Sequence, residues 1–513
     1  MTRDLINVAP PVATGWPGGA RKKAYARFSP NKQAWPENWA RRFATDDLVD
    51  CQSLSDNPSR RSSSFGSLPN MLAWCNGRAV RFGPRSYTRG ARHLLLTSVD
   101  GDGPVRTGED CCPLNSTAFE DGLSPLEHPK MITVAHLDHT VEPGGAELAL
   151  ARLIEDYPGW VPRVFIPPAV SSGKGAFAGT HAEIVLQVGV RQPAGAVESG
   201  LLGQFVLLAR ACHQAIAVRA NRTFRSSQVV HANTSRAAII GWLACVGSQR
   251  RLVVHLRDAI DVSALGRRNA KLLTLIVARA DGIIANSEYT LQTAVPHMRT
   301  GTPTSVIPSP IGLANQRPIK PLEKEVRVIG MLARITEWKG QELLIRAFAD
   351  AFCDSPIVLE LAGSPAFGQN KHFVYLQGLV RELGIDDQVR FLGQVSDIWP
   401  LLDSWDICVH ASLHSEPLGQ NVLQYLAACR PTVAANAGGP TEWIKHNSTG
   451  LLFEPRSQEA LRLALSRLVR DGELRLNLSA ALARERPVPT DMNVRRMHKD
   501  LFESVGARRV RRR

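Results

Sequence analysis

Glu416, Pro417 and Gly419, followed by Gly438 and Gly439, form the densest group of residues suited to chemistry in this chain. A carboxylate such as Glu416 can accept hydrogen bonds from sugar hydroxyls. Glycine lets a ligand approach the backbone closely, and that is the expectation for Gly419, Gly438 and Gly439. The flanking pattern says how these residues are held. Ile407 to Ala411 is an apolar run of the length of a buried parallel strand. Proline suits a first helical position, so a helix is expected from Glu416-Pro417. It would bury Val422, Leu423, Leu426 and Ala427 and stop by Arg430, ahead of Pro431. Thr432 to Ala435 reads as a second buried strand, ending at Gly438-Gly439 before a new helical turn. Two helix N-termini then lie side by side at strand ends, where unpaired backbone N–H groups make a phosphate site. The plainer reading of the same residues is an ordinary β-α-β unit with turn glycines.

The segment resembles the donor-site signature of the retaining GT-B glycosyltransferases of family 4: Glu-Pro-Phe-Gly, four residues, Glu. Glu416, Pro417 and Gly419 match, Leu418 stands where the pattern has Phe, and Gln424 stands where it has the second acid. The resemblance implies that Glu416 and the backbone around Leu418 hold the donor sugar, and that position 424 meets the nucleotide ribose. A glutamate there makes charge-assisted hydrogen bonds, worth about 1.5–3 kcal/mol against about 0.5–1.5 for neutral ones. Gln424 can still accept one bond and donate another. Arg334, four residues, then Lys339-Gly340 matches the family's diphosphate clamp. Gly144-Gly145-Ala146-Glu147 matches its first loop, which lies beside the donor phosphates and sugar.

Three apolar runs in the first half end in polar residues: Val229 to Asn233, Leu252 to Asp258, and Gly282 to Ser287. Polar groups at the carboxyl ends of parallel strands line the crevice where such sheets bind ligands. His231, Asn233, Ser235, His255, Arg257, Asp258, Asn286 and Ser287 are therefore candidates. The resemblance singles out His255, with His231 second, as the histidine that faces the donor sugar.

The order of elements agrees with two doubly wound domains. Met131 to His136, Val161 to Pro167 and the three runs above alternate with helical patterns. Val306-Ile307-Pro308-Ser309-Pro310 resembles the family's exit from its first domain, and a proline-rich, charged linker follows to Glu325. Val326 to Leu332, Ile357 to Ala362, Val389 to Leu392 and Gly450 to Phe453 supply further strands. Strict alternation of strand and helix gives parallel sheets with right-handed crossovers. The expected fold is α/β: two Rossmann-like parallel-sheet domains facing a central crevice. The first spans 131–315 and the second 316–485, with a crossover helix (Met492 to Val505) and basic tail in 486–513. Residues 1–130, rich in Pro, Gly, Ser and Arg without sustained periodicity, read as a low-order extension.

Bulk properties narrow the function classes. The 513 residues are 44% hydrophobic and 21% charged, ample for two cores. The formal charge is +14, with arginines scattered apart from the tail Arg508, Arg509, Arg511, Arg512 and Arg513. Aromatics are sparse at 6%, and no basic helix interleaved with stacking residues occurs, which argues against nucleic acid as a partner. A basic surface suits anionic donors and peripheral contact with an anionic membrane face. Nine dispersed cysteines, of which only Cys111-Cys112 lie close together, read as free thiols in a reducing compartment. The most apolar helical stretch, Leu201 to Val218, is interrupted by Arg210 and His213, so a membrane span is not expected and a cytoplasmic location is.

By resemblance, the chain would move a hexose from a UDP- or GDP-sugar to a glycan or lipid-linked acceptor, with retention, in envelope or polysaccharide biosynthesis. No cofactor and no metal is expected, because Arg334, Lys339 and the helix N-termini would supply the positive charge. No Asp-x-Asp sits in a loop suited to hold a metal. The alternative is a catalytically silent protein of the same fold that binds sugar nucleotides or glycans. An epimerase of the same fold remains open, whereas a phosphorylase would need a pyridoxal-binding lysine context that is not found.

Overall fold

Residues 131–507, except 143, 156–157, 169–174, 181–183, 192–200 and 366–369, are described by a computed structural model. Within residues 1–130 it describes three short strands, β1 (Leu72–Cys75), β2 (Arg78–Arg81) and β3 (Thr97–Ser98), in one antiparallel sheet. None was expected here, because this segment lacks sustained periodicity. The rest of the low-order extension, the Cys111-Cys112 pair and the arginine tail at 508–513 lie outside the described residues. Residues Met1–Ser124 and Pro125–Arg513 are separate units, and the second holds both large sheets.

The first half of this second unit alternates strand and helix as the apolar runs require. β4 (Thr133–Leu137), α1 (Gly145–Leu153), β5 (Val161–Ile166), β6 (Val185–Gln187), α2 (Leu201–Ala220) and α3 (Arg222–Arg225) come first. β7 (Val229–Ala232), α4 (Ser235–Cys245), β8 (Arg251–Leu256), α5 (Val262–Leu265), α6 (Arg267–Val277), β9 (Gly282–Ala285), α7 (Glu288–Ala294) and β10 (Thr304–Val306) complete it. All seven strands are parallel, in the order β10-β9-β8-β7-β4-β5-β6. Both faces are covered, so the central strands are largely apolar. In β8, Leu252, Val254 and Leu256 enter one core layer, while Val253 enters the other.

The second half follows the same plan. It contains β11 (Val328–Leu332), α8 (Gln341–Phe352), β12 (Val358–Ala362), α9 (Asn370–Glu382), β13 (Val389–Gly393) and α10 (Ile398–Ser404). Then come β14 (Ile407–His410), α11 (Gln420–Ala427), β15 (Thr432–Ala435), α12 (Pro440–Trp443), β16 (Leu451–Phe453), α13 (Gln458–Arg470) and α14 (Gly472–Glu485). Its parallel sheet runs β13-β12-β11-β14-β15-β16. Each sheet reverses its strand order once, between β4 and β7 in the first half and between β11 and β14 in the second. Helices diverge to opposite faces at such a point and leave a crevice at the strand ends. The loops after β11 and β14 carry Arg334, Lys339 and Glu416.

The last helix, α15 (Asp491–Gly506), packs on the first half. Val494, Leu501, Phe502 and Val505 bury themselves among Val134, Leu150, Trp160 and Val229, each contributing about 1.5–3 kcal/mol relative to exposure. The Asp491 carboxylate accepts the backbone N–H groups of Ile311 and Gly312, both at 3.0 Å, and fixes where the helix enters. Among the described residues, no helix is long and apolar enough to cross a membrane.

One element differs from the sequence reading in a way that matters for the site. The helix expected from Glu416-Pro417 begins only at Gln420. Gly419 has φ +71°, a left-handed conformation that ends any helix trying to run through it. Glu416 to Gly419 therefore form a loop rather than a first turn.

Candidate functional site

Glu416 is the centre of the second-half site, and it is buried rather than at the crevice mouth, with 6% of its surface exposed. One carboxylate oxygen, Oε1, gathers three partners. Lys339 Nζ lies at 2.5 Å, His410 Nε2 at 3.0 Å, and the Ser412 hydroxyl donates to it as well. Burial works to raise the carboxyl pKa, but Lys339 and then His410 outweigh it and hold the group well below the usual carboxylate range. Glu416 is therefore ionised across the physiological range. The loop from β11 delivers Lys339: Glu337–Lys339 form one tight turn, and Gly340, at φ +77°, turns the chain into α8. Lys339 Nζ also sits 4.2 Å from the centre of the Trp338 ring.

Arg334 lies two residues past β11 and is exposed. Its charge acts on Asp258, which follows β8 in the first half. Asp258 is solvent-accessible at its strand end, yet surrounding atoms push its carboxyl pKa up, while Arg257, His139 and Arg334 pull it back. The two halves thus face one another at these strand ends. Gly145 confirms the approach, since a Cβ placed there would stand 3.6 Å from Gln420 Oε1 at the start of α11.

The glycines at Gly438 and Gly439 serve a different purpose from the one expected. A Cβ on Gly438 would lie 2.3 Å from the Glu416 carbonyl oxygen, and one on Gly439 2.2 Å from that of Pro417. Gly439 N–H donates to Glu416 O at 2.8 Å. Protein backbone, not open space for a ligand, occupies the room these glycines create. The ring of Pro440 fills the room beside Gly419 in the same way. Leu418 likewise packs into the core with Val422, Leu423 and Ile311 rather than opening onto the crevice. Gln424 is buried on α11 at 6% exposure, and no hydrogen bond of its side chain is found among the described residues.

His255 is not at the crevice. It lies inside β8, fully buried, with its ring turned toward α15. It ends a relay whose tautomers follow from its first member. Trp160 Nε1 donates to His136 Nε2 at 2.9 Å, so a neutral His136 carries its proton on Nδ1. That proton goes to His231 Nδ1 at 2.9 Å, and His231 Nε2 then donates to His255 Nδ1 at 3.1 Å. From α15, His498 Nδ1 donates to the Val494 carbonyl at 2.8 Å. All four rings are fully buried, and burial pushes every one of their pKa values down, His136 to about 3 and His498 to about 4. The nearby Arg257 charge opposes any further positive charge on His231, His255 or His498. The runner-up His231 is in the same core position.

The first-half strand ends are organised instead by Asn233 and Arg257. Asn233 Nδ2 donates to Asp138 Oδ2 at 2.6 Å and to the Ala146 carbonyl at 3.1 Å, which ties the Gly144-Gly145 loop to β7. Arg257 donates to Asn233 Oδ1 at 2.7 Å and to Ser309 Oγ at 2.8 Å. Glu147, at the start of α1, is buried beside Asp138, and burial followed by that negative neighbour raises its carboxyl pKa. His410 and Ser412 escaped the sequence reading as partners of Glu416. Their position just ahead of it, on the exit of β14, was the available signal.

Two Rossmann-like parallel sheets with their switch points turned to a common crevice match known structures over most of the described chain. HepE of Anabaena, crystallised with UDP and glucose, superposes with a TM-score of 0.60 at 26% identity, covering 73% of this chain and all of that one. The fold is that of the GT-B glycosyltransferases. Residues 314–484, which hold Arg334, Lys339, Glu416 and Gln424, match the family model described as glycosyl transferases group 1. A lipopolysaccharide core biosynthesis glycosyltransferase of Rhizobium meliloti (strain 1021) is 31% identical over 152 residues, 30% of this chain and 42% of the relative. A GDP-mannose-dependent phosphatidylinositol monomannoside mannosyltransferase of Mycobacterium tuberculosis is 29% identical over 160 residues, 29% of this chain and 40% of that protein. The chain thus spans about two fifths of the length of these curated relatives.

Proposed function

We propose that this protein is a retaining hexosyltransferase that takes its sugar from a nucleotide donor, without a metal. The observation that carries the proposal is the ionised Glu416 carboxylate, seated on Lys339, His410 and Ser412 at the switch point of the second sheet. A buried carboxylate with one oxygen saturated by donors presents the other to sugar hydroxyls. Lys339 and Arg334 supply positive charge where a diphosphate departs, as transition-state stabilisation requires. In the reaction the bond from the anomeric carbon to the diphosphate breaks, with its electron pair leaving on the phosphate oxygen. The acceptor hydroxyl forms the new bond on the same face, and its proton passes to the departing diphosphate.

UDP- or GDP-hexose as donor is supported by the UDP and glucose in the HepE crystal and by the GDP-mannose dependence stated for the mycobacterial relative. A glycan or lipid-linked acceptor in envelope polysaccharide biosynthesis is supported by the lipopolysaccharide core relative. Work at the cytoplasmic face of a membrane, held there by basic surface, fits the positive charge. The test is a donor panel of UDP- and GDP-hexoses incubated with purified full-length protein, with released nucleotide and glycosylated acceptor followed by mass spectrometry. Gln424 in place of the second acid favours one other reading, a protein that binds the nucleotide without turning it over. Tight nucleotide binding with no release of sugar from any donor would establish that reading instead.

A further inference from the structure

The loop that carries Glu416 is held from both halves of the fold. Ser287, fully buried at the end of β9, donates its hydroxyl to the Pro417 carbonyl, one residue from Glu416. The same hydroxyl accepts the Thr290 N–H at 3.0 Å and so caps α7. Two further N–H groups in the first turn of α7 have no partner inside the helix. Glu442, on α12 of the second half, takes both: Tyr289 N at 2.6 Å and Glu288 N at 2.9 Å. α12 is itself tied to the Glu416 loop through Gly439 N–H on Glu416 O. One carboxylate and one hydroxyl thereby join α7 to the loop Glu416–Gly419, across sequence separations of 130 to 154 residues.

We propose that Ser287 and Glu442 are positioning residues that latch the Glu416 loop onto the first half in the closed form, where donor and acceptor meet. The inference rests on the donor-site reading of Glu416. The two members differ in a way that suits a reversible latch. Ser287 is buried and fixes the geometry, whereas Glu442 is exposed, so water can take over its carboxylate as the halves part. Charge-assisted bonds to backbone N–H groups are short and directional, and a lost one shifts a two-state closure equilibrium without touching the donor's own contacts. The chemical step then suffers more than nucleotide affinity does.

The experiment uses full-length protein with Glu442→Gln, Glu442→Ala, Ser287→Ala and Ser287→Thr. UDP and GDP binding is measured by calorimetry, kcat and KM in the transfer assay, and closure by small-angle scattering with and without nucleotide. Glu442→Ala and Ser287→Ala are expected to bind nucleotide within about twofold of wild type and to lose about tenfold in kcat, the scale of one lost hydrogen bond. Glu442→Gln keeps one acceptor oxygen and should fall between, and Ser287→Thr should restore most of the rate. Scattering should report a larger radius of gyration for Glu442→Ala than for wild type. Wild-type kcat in Glu442→Ala together with an unchanged radius overturns the latch. The scattering comparison needs no turnover, so a chain that transfers no sugar would defeat the functional reading while still deciding whether Glu442 holds the halves together.

Discussion

Lys339 Nζ and Glu416 Oε1 are 2.5 Å apart, with both side chains largely withdrawn from water. The Lys339 charge is thus at once a candidate ligand for diphosphate and the counter-ion of the carboxylate proposed to hold the sugar. Removing it leaves a buried carboxylate without its lysine counter-ion, and breaking one side of a buried pair costs about 3–5 kcal/mol. Lys339→Ala should therefore lower the melting temperature by several degrees and reduce turnover by roughly 10²–10³. Differential scanning calorimetry beside the transfer assay checks both. A variant that melts like wild type would show that the pair is dispensable to the fold.

Arg334 gives the contrasting case, because it is exposed where Lys339 is not. Arg334→Ala should leave the melting transition within about 1 °C, since exposed charges contribute little to stability. Turnover should still fall by roughly 10²–10³ if the guanidinium meets the leaving diphosphate. Unchanged kcat/KM for every donor that wild type uses would remove Arg334 from the site.

The strand-and-loop frame of the site was legible because glycine, proline and apolar runs punctuate it. Gly340 marks the turn into α8, and Pro431 marks the stop of α11 and the start of β15. What could not be read was which face of a strand the distant C-terminal helix covers. His255 alternates correctly with its neighbours, but α15, some 240 residues later, decides that its face is core. The same limit hid the purpose of Gly438 and Gly439. A glycine pair after a strand signals that something comes close, and only the fold shows that it is the backbone of Glu416 and Pro417. Glu442 gave no signal at all, because its partners lie on the other half.

The histidine relay predicts a specific pH dependence. Each ring is neutral when folded and each pKa is depressed below its ordinary value of 6.5. The unfolded chain therefore binds more protons below pH 6.5. Stability from these groups is complete above that pH and is lost as pH falls from 6.5 toward 4, where His498 begins to titrate in the fold. Arg257 is the positive neighbour that deepens the effect. Each such group steepens the fall by about 1.4 kcal/mol per pH unit well below 6.5. His498→Phe should flatten the dependence of unfolding free energy on pH between 6 and 5 by about that amount, measured by urea denaturation. The same slope in wild type and variant would mean that His498 is protonated in the folded protein.

Gln424 supplies the last test, because it is the one site position whose chemistry departs from the pattern around it. Its side chain is buried on α11, one helical turn past Gln420, and no hydrogen bond holds it among the described residues. If a nucleotide ribose reaches it, Gln424→Glu replaces a neutral acceptor by a charged one. Donor binding should tighten several-fold, on the order of 1 kcal/mol, with a smaller gain for a 2′-deoxy nucleotide that has lost one hydroxyl. The same substitution places a carboxylate on a mostly buried side chain, so the nucleotide-free variant should melt below wild type. Adding nucleotide should narrow that gap, since a ligand that binds only the folded state stabilises it in proportion to its affinity. Calorimetric titration with UDP, GDP and their 2′-deoxy forms, beside melting curves with and without nucleotide, reads all of this. Equal or weaker binding by Gln424→Glu for every nucleotide would mean that Gln424 meets something other than a ribose, such as an acceptor oxygen that a second carboxylate would repel.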